Sequence, residues 1–269
     1  MNLVSLADLA AADVRAIWRL AAAPDEPLAG TVGWSFEGNG IRTRTTFMQA
    51  FRELGLSFTE LPNLLKTSER ACDLAGYLDP FYDIYVIRES IHARLVEFAT
   101  ASRRPVINAM SSEGHPCEVL TDAFYIDTAL LPITKARICL WGPPTNVFRS
   151  WHQLAAILGL SLQHVCEARF HEPRAGATYA ELDDIGPADI VITDGWPDGA
   201  DASAWSLTEH QLARMGNPKL LPTPPFTIGR ELALDPLTYA GFVGYEQKKL
   251  LLPVHKAILR YATTARQGG

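Results

Sequence analysis

The sequence is poor in cysteine, has no excess of positive charge and contains no long apolar run. Its four cysteines are widely spaced, without a CxxC pair or a Cys/His cluster that has the spacing of metal ligands. This pattern excludes a disulfide framework and a structural zinc site, and it is typical of reduced thiols in the cytoplasm. The net charge of −6 argues against a nucleic-acid-binding protein, because no basic surface is evident.

The opening segment, residues 1–23, has the apolar character of a signal peptide but not its charge pattern. Two aspartates and two arginines interrupt the apolar run, so we predict an amphipathic helix that begins near Ser5 or Asp8. No apolar stretch in the sequence reaches the length of a transmembrane helix. We therefore expect a cytoplasmic protein with no membrane partner.

Strand-like and helix-like segments alternate along the 269 residues, which predicts parallel βαβ units. The alternation restarts after residue 135, so we expect an α/β fold of two doubly wound parallel-sheet domains with a cleft between them. The predicted domains are residues 1–132 and 133–250. A last helix, within residues 251–269, follows them.

The densest chemical signal is the segment FEGNGIRTRTTF at residues 36–47. A Gly/Asn turn precedes Arg42, Thr43 and Arg44, and a helix-like run follows them. A turn that opens into a helix presents free N–H groups and the positive end of the helix dipole, and an arginine adds a clamp for phosphate. This pattern predicts an anion site, although a capped surface helix with solvated arginines fits the segment equally well when it is taken alone.

Other reactive side chains also follow predicted strands. Arg88, His115 and Asp194 each follow a predicted strand. Ligands of open parallel sheets bind beyond the carboxyl ends of the strands, so we expect these side chains and the arginine-rich turn to converge on one cleft.

Taken in order, these motifs resemble those of the aspartate/ornithine carbamoyltransferase family. FEGNGIRTRTTF is similar to the family's FxxxSTRTRxSF loop, and VIR at residues 86–88 resembles its second phosphate arginine. RPVINAMSSEGHPCEVLTD at residues 104–122 resembles the segment PVxNA…HPTQxLxD, and LLPTPPF at 220–226 lies where the family has HPLP or HCLP. The resemblance covers nearly the whole chain. It implies a C-terminal helix that packs back on the first domain and a homotrimer with active sites shared between subunits.

The resemblance also implies the substrates, which are carbamoyl phosphate and an amine acceptor. Arg42, Thr43 and Arg44 match the positions that hold phosphate and carbonyl oxygens, with a structural role as the alternative for Arg44. Arg88 matches an arginine that contacts carbamoyl phosphate, and His115 matches the histidine that contacts its carbonyl oxygen.

Pro222 and Thr223 fall where the family's backbone carbonyls accept bonds from the carbamoyl NH2 group. In such a reaction the amine attacks the carbamoyl carbon, a tetrahedral oxyanion forms and phosphate leaves. Thr43, Arg88 and His115 would donate hydrogen bonds to that oxyanion. The phosphate can accept the amine proton, so the resemblance implies no metal ion and no organic cofactor.

The chain departs from the family pattern at two substrate-binding positions. Gly40 and Ile41 replace a serine and a threonine, so a backbone N–H remains at residue 40 but residue 41 offers no side-chain donor. Glu118 replaces the family's glutamine. A carboxylate can still accept a bond from the carbamoyl NH2 group and could attract a cationic amine, but it also repels phosphate.

The acceptor is less well defined by the resemblance. Thr145 and Trp196 fall near the places where aspartate enzymes carry arginines, and the nearby Arg149 matches a different position, which argues against aspartate. Asn146 and Asp194 match part of the ornithine pattern. The resemblance therefore implies an amine or amino-acid-like acceptor with a positive group.

Three hypotheses follow from these matches and departures. The first is a carbamoyltransferase that acts on a non-standard amine in specialised metabolism. The second is an ornithine carbamoyltransferase with altered motifs. The third is a non-catalytic member of the family that keeps an anion pocket as a binding or regulatory subunit, which Ile41 and Glu118 favour.

Overall fold

The computed structural model describes residues 1–172, 175–197 and 202–264. The chain forms two compact units, of which the first is Met1–Thr121 together with the segment that begins at Leu250, and the second is Asp122–Lys249. The domain boundary that we predict at residues 132–133 differs by about ten residues from this division and stays a prediction. Residues 265–269, the end of the predicted last helix, lie outside the described part of the chain.

The first unit is built on a four-stranded parallel sheet with the strand order β2-β1-β3-β4. In chain order its elements are α1 (Ala11–Ala22), β1 (Thr31–Phe36), α2 (Ile41–Glu53), β2 (Ser57–Glu60), α3 (Ala71–Leu78), β3 (Ile84–Glu89), α4 (His92–Ala101), β4 (Val106–Ser111) and α5 (Pro116–Tyr125). The central strands β1 and β3 are buried along almost their whole length, as expected of a parallel sheet covered on both faces.

The N-terminal helix begins later than the sequence pattern predicts. The Ser5 hydroxyl accepts a bond from the Ala7 N–H at 3.2 Å, but it caps only a short 3₁₀ turn, Leu6–Asp8. The chain is extended at Leu9, and α1 then starts at Ala11. The prediction of a helix start near Ser5 or Asp8 was therefore wrong, because that cap belongs to a separate turn.

The second unit contains a five-stranded parallel sheet with the order β7-β6-β5-β8-β9. In chain order its elements are β5 (Arg137–Trp141), α6 (Asn146–Leu158), β6 (Ser161–Val165), β7 (Thr178–Ala180), β8 (Ile190–Thr193), α7 (Ala202–Trp205), α8 (Glu209–Arg214), β9 (Lys219–Pro222) and α9 (Gly244–Lys248). Two all-parallel sheets flanked by helices confirm the predicted fold class.

The last helix, α10 (Leu251–Thr264), packs back on the first unit. The His255 ring stacks on Phe47 of α2 with centroids 3.9 Å apart. The Lys256 ammonium contacts Asp25 and lies 2.8 Å from an oxygen of Glu53. This packing confirms the predicted return of the C-terminal helix to the first domain.

The cysteines and the apolar helices were also compared with the sequence. All four cysteines are free thiols, three of them buried. Within the described residues, no helix is both long enough and apolar enough to span a bilayer.

Candidate functional site

The sheet of the first unit changes its winding direction between β1 and β3. The chain runs outward from β1 to β2 on one side and from β3 to β4 on the other, so β1 and β3 flank the switch point. Phe36 and Arg88, at the ends of these two strands, are paired neighbours. The arginine-rich turn follows β1 directly. The switch point of an open parallel sheet is where such sheets bind ligands.

Gly40 lets the turn and Arg88 approach each other closely. A Cβ atom at residue 40 would lie 2.2 Å from Arg88 Nη1 and 2.9 Å from Cζ of Phe36. Arg88 itself lies over the Phe36 ring, with its guanidinium carbon 5.1 Å from the ring centroid. Glycine at residue 40 is therefore the residue that leaves room for the Arg88 guanidinium beside the start of α2.

The positive charge of Arg42 acts on Arg88, and among the described residues neither arginine forms an ion pair with a carboxylate. Burial lowers the pKa of the half-buried Arg88, and the positive charge of Arg42 lowers it further against the opposing effect of Glu37. Arginine nevertheless stays protonated in proteins. Two guanidinium groups near the N-terminus of α2, a 13-residue helix, give this edge of the sheet features that favour an anion.

The remaining residues of the turn have different surroundings. Thr43 is buried in the first turn of α2, whereas Ile41 is 72% exposed. Arg44 has a carboxylate partner, because its Nη1 lies 2.7 Å from Glu60 Oε1, and its guanidinium packs on Phe36. This ion pair favours the structural alternative for Arg44, while its assignment to phosphate stays a prediction.

His115 is positioned by a hydrogen-bonded loop after β4. The Ser111 N–H donates to the Gly114 carbonyl at 2.8 Å, and the buried Asn108 amide donates to the Ser111 hydroxyl at 3.1 Å. This network fixes the chain where His115, itself buried, precedes the first turn of α5. Glu118 is buried one turn later. Since β4 neighbours β3, both side chains follow the same sheet edge as Arg88.

Lys66, in the loop before α3, forms ion pairs with two glutamates of the same chain. Its ammonium lies 2.5 Å from Glu89 and 3.2 Å from Glu37. Glu37 also accepts a bond from the Ser90 N–H at 2.7 Å, which is the main reason that the pKa of Glu37 lies below its usual value. These contacts connect the loop to the end of β3.

In the second unit, the residues predicted to contact the carbamoyl NH2 group or the acceptor follow three adjacent strands. Asn146 is the first residue of α6, whose N-terminus is capped by Thr145. Asp194 follows β8 and accepts a bond from the Gly195 N–H at 2.9 Å. Pro222 ends β9, and the Thr223 N–H donates to the Thr193 carbonyl at 2.7 Å.

Sequence reasoning missed the two groups that fix Trp196. Its backbone N–H donates to Glu231 Oε1 at 3.1 Å, and its carbonyl accepts from Arg230 Nη2 at 2.9 Å. Glu231 is buried, and a buried carboxylate this far along the chain from β8 gives no local sequence signal. Among the described residues, no cluster of three or more His, Cys, Asp or Glu side chains is arranged to hold a metal ion.

Comparison with known proteins agrees with this geometry. Residues 1–128 match the carbamoyl-P binding domain of aspartate/ornithine carbamoyltransferase. The chain is 30% identical to the ornithine carbamoyltransferase of Methanopyrus kandleri over 96% of both sequences. A 30% match to the ornithine carbamoyltransferase of Caulobacter vibrioides spans 60% of this chain and 57% of that protein.

Solved structures show the same fold. The ornithine carbamoyltransferase of Burkholderia thailandensis superimposes with a TM-score of 0.87 at 24% identity, covering 98% of this chain and 99% of that one. For the enzyme of Thermus thermophilus the TM-score is 0.89 at 21% identity, with 97% and 98% covered. With the near-full-length match to the Methanopyrus kandleri protein, these findings establish that the chain belongs to the aspartate/ornithine carbamoyltransferase family.

Proposed function

We propose that this protein transfers the carbamoyl group of carbamoyl phosphate to an amine and releases phosphate. The observation that carries the proposal is the Arg42–Arg88 pair at the switch point of the first sheet, which has no carboxylate partner within the described residues. Arg88 is half-buried and Arg42 is exposed, and a half-buried cation is costly unless an anion lies beside it. A phosphate dianion that arrives with the substrate provides that compensation.

Each residue then has a role in the transfer. Arg42 and the free N–H groups at the start of α2 would bind phosphate, with Gly40 and Ile41 contributing backbone donors. Thr43, Arg88 and His115 would donate to the carbamoyl oxygen as negative charge develops there. Such preorganised donors typically contribute about 10²–10³ each to the rate.

Residues of the second unit would contribute to binding the carbamoyl NH2 group and the acceptor amine. The carbonyls of Pro222 and Thr223 would accept bonds from the carbamoyl NH2 group, together with Glu118. Asn146 and Asp194 would hold the acceptor near its reacting nitrogen. Ornithine is the second candidate acceptor, because Asn146 and Asp194 match part of the ornithine pattern.

The test is phosphate release from carbamoyl phosphate in the presence of an amine panel, with products identified by mass spectrometry. Arg42→Ala should lower kcat/KM for carbamoyl phosphate by about 10²–10³ because it removes a charged phosphate contact. Arg52→Ala is the matched control, since Arg52 is an exposed arginine in the last turn of the same helix. Equal activity of the Arg42→Ala variant and the wild type would overturn the site assignment.

The wider context is also part of the proposal. The widely spaced free thiols support a cytoplasmic location. The departures at Gly40, Ile41 and Glu118 support a role in specialised metabolism. Binding of carbamoyl phosphate without transfer to any amine would instead support the non-catalytic hypothesis.

A further inference from the structure

The C-terminal helix α10 contacts α2 near the turn that carries Arg42. The Thr46 hydroxyl of α2 lies 3.0 Å from Nδ1 of His255 and 3.0 Å from the Arg42 carbonyl oxygen. The Thr43 carbonyl oxygen is also close to this hydroxyl, at 3.3 Å. Both helices belong to the first unit. A side chain of α10 is therefore connected by hydrogen bonds to the backbone of the turn that we propose binds phosphate.

The direction of these hydrogen bonds follows from their chemistry. A hydroxyl has one proton and a backbone carbonyl can only accept, so the Thr46 proton points to the carbonyls of Arg42 and Thr43. The Thr46 oxygen then accepts a bond from His255 Nδ1–H, which assigns the ring proton to Nδ1. The bonds thus run from α10 through Thr46 to the first turn of α2.

Packing fixes the His255 ring in the core of the first unit. The ring is fully buried and stacks on Phe47 of α2, with centroids 3.9 Å apart and an interplanar angle of 14°. Phe47 is buried as well and packs against Trp34 of β1, with centroids 5.8 Å apart. A ring stacked inside a close-packed core has little freedom to turn, so its Nδ1 donor stays directed at Thr46.

A second contact with α10 fixes the other end of α2. Lys256, the next residue of α10, lies 2.8 Å from Glu53 at the end of α2 and also contacts Asp25. Further along α10, the Tyr261 hydroxyl donates to Asp13 at 2.5 Å. One partner helix therefore holds α2 both near its first turn and at its last residue. Contacts at two different turns restrict the rotation of α2 about its own axis.

We propose that His255 and Thr46 are positioning residues for the phosphate site, through which α10 holds the first turn of α2 in the orientation that presents its N–H groups and Arg42 to phosphate. The inference deepens the proposed carbamoyl transfer and rests on it. N–H groups that are already oriented bind an anion without a further loss of entropy, whereas a turn that can shift must be ordered when the anion arrives. Loss of the Thr46 hydrogen bonds should therefore weaken phosphate binding.

The experiment measures Kd for inorganic phosphate by calorimetry and KM for carbamoyl phosphate. Thr46→Val keeps the shape of the side chain but removes the hydroxyl, and we expect it to raise both constants about fivefold, the effect of one hydrogen bond. The value of kcat should stay nearly unchanged, because the substrate and the transition state lose the same binding interaction. Thr46→Ser keeps the hydroxyl and should restore both constants.

Thr100→Val is the matched control for Thr46→Val. The exposed Thr100 hydroxyl of α4 also donates to the carbonyl four residues earlier, at 2.8 Å. This variant should bind phosphate as the wild type does. Wild-type Kd and KM in Thr46→Val would overturn this inference and leave carbamoyl transfer intact. Phosphate binding that weakens in Thr46→Val, in a protein that transfers no carbamoyl group, would support the inference and contradict the proposed function.

A double-mutant cycle tests whether His255 acts through Thr46. His255→Phe keeps a ring that can stack on Phe47 but cannot donate to Thr46. Because both substitutions break the same hydrogen bond, the double variant Thr46→Val/His255→Phe should bind phosphate no more weakly than the weaker of the two single variants. Losses of affinity that add in the double variant would overturn the assignment of His255.

Discussion

At the residue scale, the proposed anion site depends on one close approach, that of Gly40 to Arg88. Gly40→Ala places a methyl group where Arg88 Nη1 lies, so the guanidinium must move by more than an ångström. Because a misplacement of this size is costly in catalysis, we expect kcat/KM for carbamoyl phosphate to fall by about 10- to 100-fold. The φ of Gly40 is −51°, so alanine adds no backbone strain there, and thermal stability should change little.

Gly76→Ala is the control for that experiment. Gly76 lies in the exposed part of α3, and a Cβ atom there meets nothing within 4 Å. Alanine in a helix interior stabilises by about 0.5–1 kcal/mol relative to glycine, so this variant should be fully active and slightly more stable. If Gly40→Ala behaves like Gly76→Ala, Arg88 has no role in carbamoyl phosphate binding.

Sequence alone was sufficient to propose Arg42 and Arg88 as anion ligands, because each follows an apolar run and matches a family motif. It could not determine the position of Arg44. The partner of Arg44 is Glu60 at the end of β2, sixteen residues away, and the two meet only because β2 pairs beside β1. Trp196 illustrates the same limit, since the contacts of its backbone with Arg230 and Glu231 form only in the tertiary structure.

At the scale of elements, β6 carries a buried histidine whose ionisation opposes folding. Burial lowers the pKa of His164 to about 3, and the neighbouring His152 and His171 act in the same direction, against the Gly142 carbonyl and Glu172. The folded state therefore keeps His164 neutral. Its Nε2–H donates to Gly142, and its Nδ1 accepts from His152 Nε2 at 2.9 Å.

This environment predicts a loss of stability on acidification. Between pH 6.5 and about pH 3 the unfolded chain binds a proton at His164 that the folded chain does not. The free energy of unfolding should therefore fall as the pH decreases below 6.5, by up to about 1.4 kcal/mol per pH unit from this group. His164→Gln keeps a donor for Gly142 and cannot titrate, so its melting temperature should depend less on pH.

His210→Gln is the matched control, because His210 is an exposed histidine on α8 in the same unit. Its melting temperature should follow that of the wild type across pH 5 to 7.5. Parallel curves for the wild type and His164→Gln would contradict the assignment of acid sensitivity to His164.

The elements that sequence patterns predicted are the long, buried ones. β1, β3 and β5 are apolar runs that are buried along most of their length, and they carry the alternation that predicted parallel βαβ units. β7 has three residues, too few to show a pattern, and β9 ends in a proline-rich segment that indicates a turn more than a strand. Both strands lie at the edges of the second sheet, where pairing with a neighbour replaces local propensity.

At the scale of the whole molecule, the resemblance predicts a homotrimer. Size-exclusion chromatography with light scattering should give a mass three times that of the 29.6 kDa chain. Dilution that dissociates the trimer should reduce activity in parallel, because shared active sites are incomplete in a monomer. A fully active monomer would exclude the shared site.

The proposed function requires that the carbamoyl carbon moves from carbamoyl phosphate to an amine at the Arg42–Arg88 site. The most direct measurement follows this carbon by ¹³C NMR, using ¹³C-labelled carbamoyl phosphate with the preferred amine. We expect one labelled carbamoylated product for each phosphate released, with the rate reduced about 10²–10³-fold in Arg42→Ala. Phosphate release without a labelled product, or label transfer at the wild-type rate in Arg42→Ala, would contradict the proposed transfer.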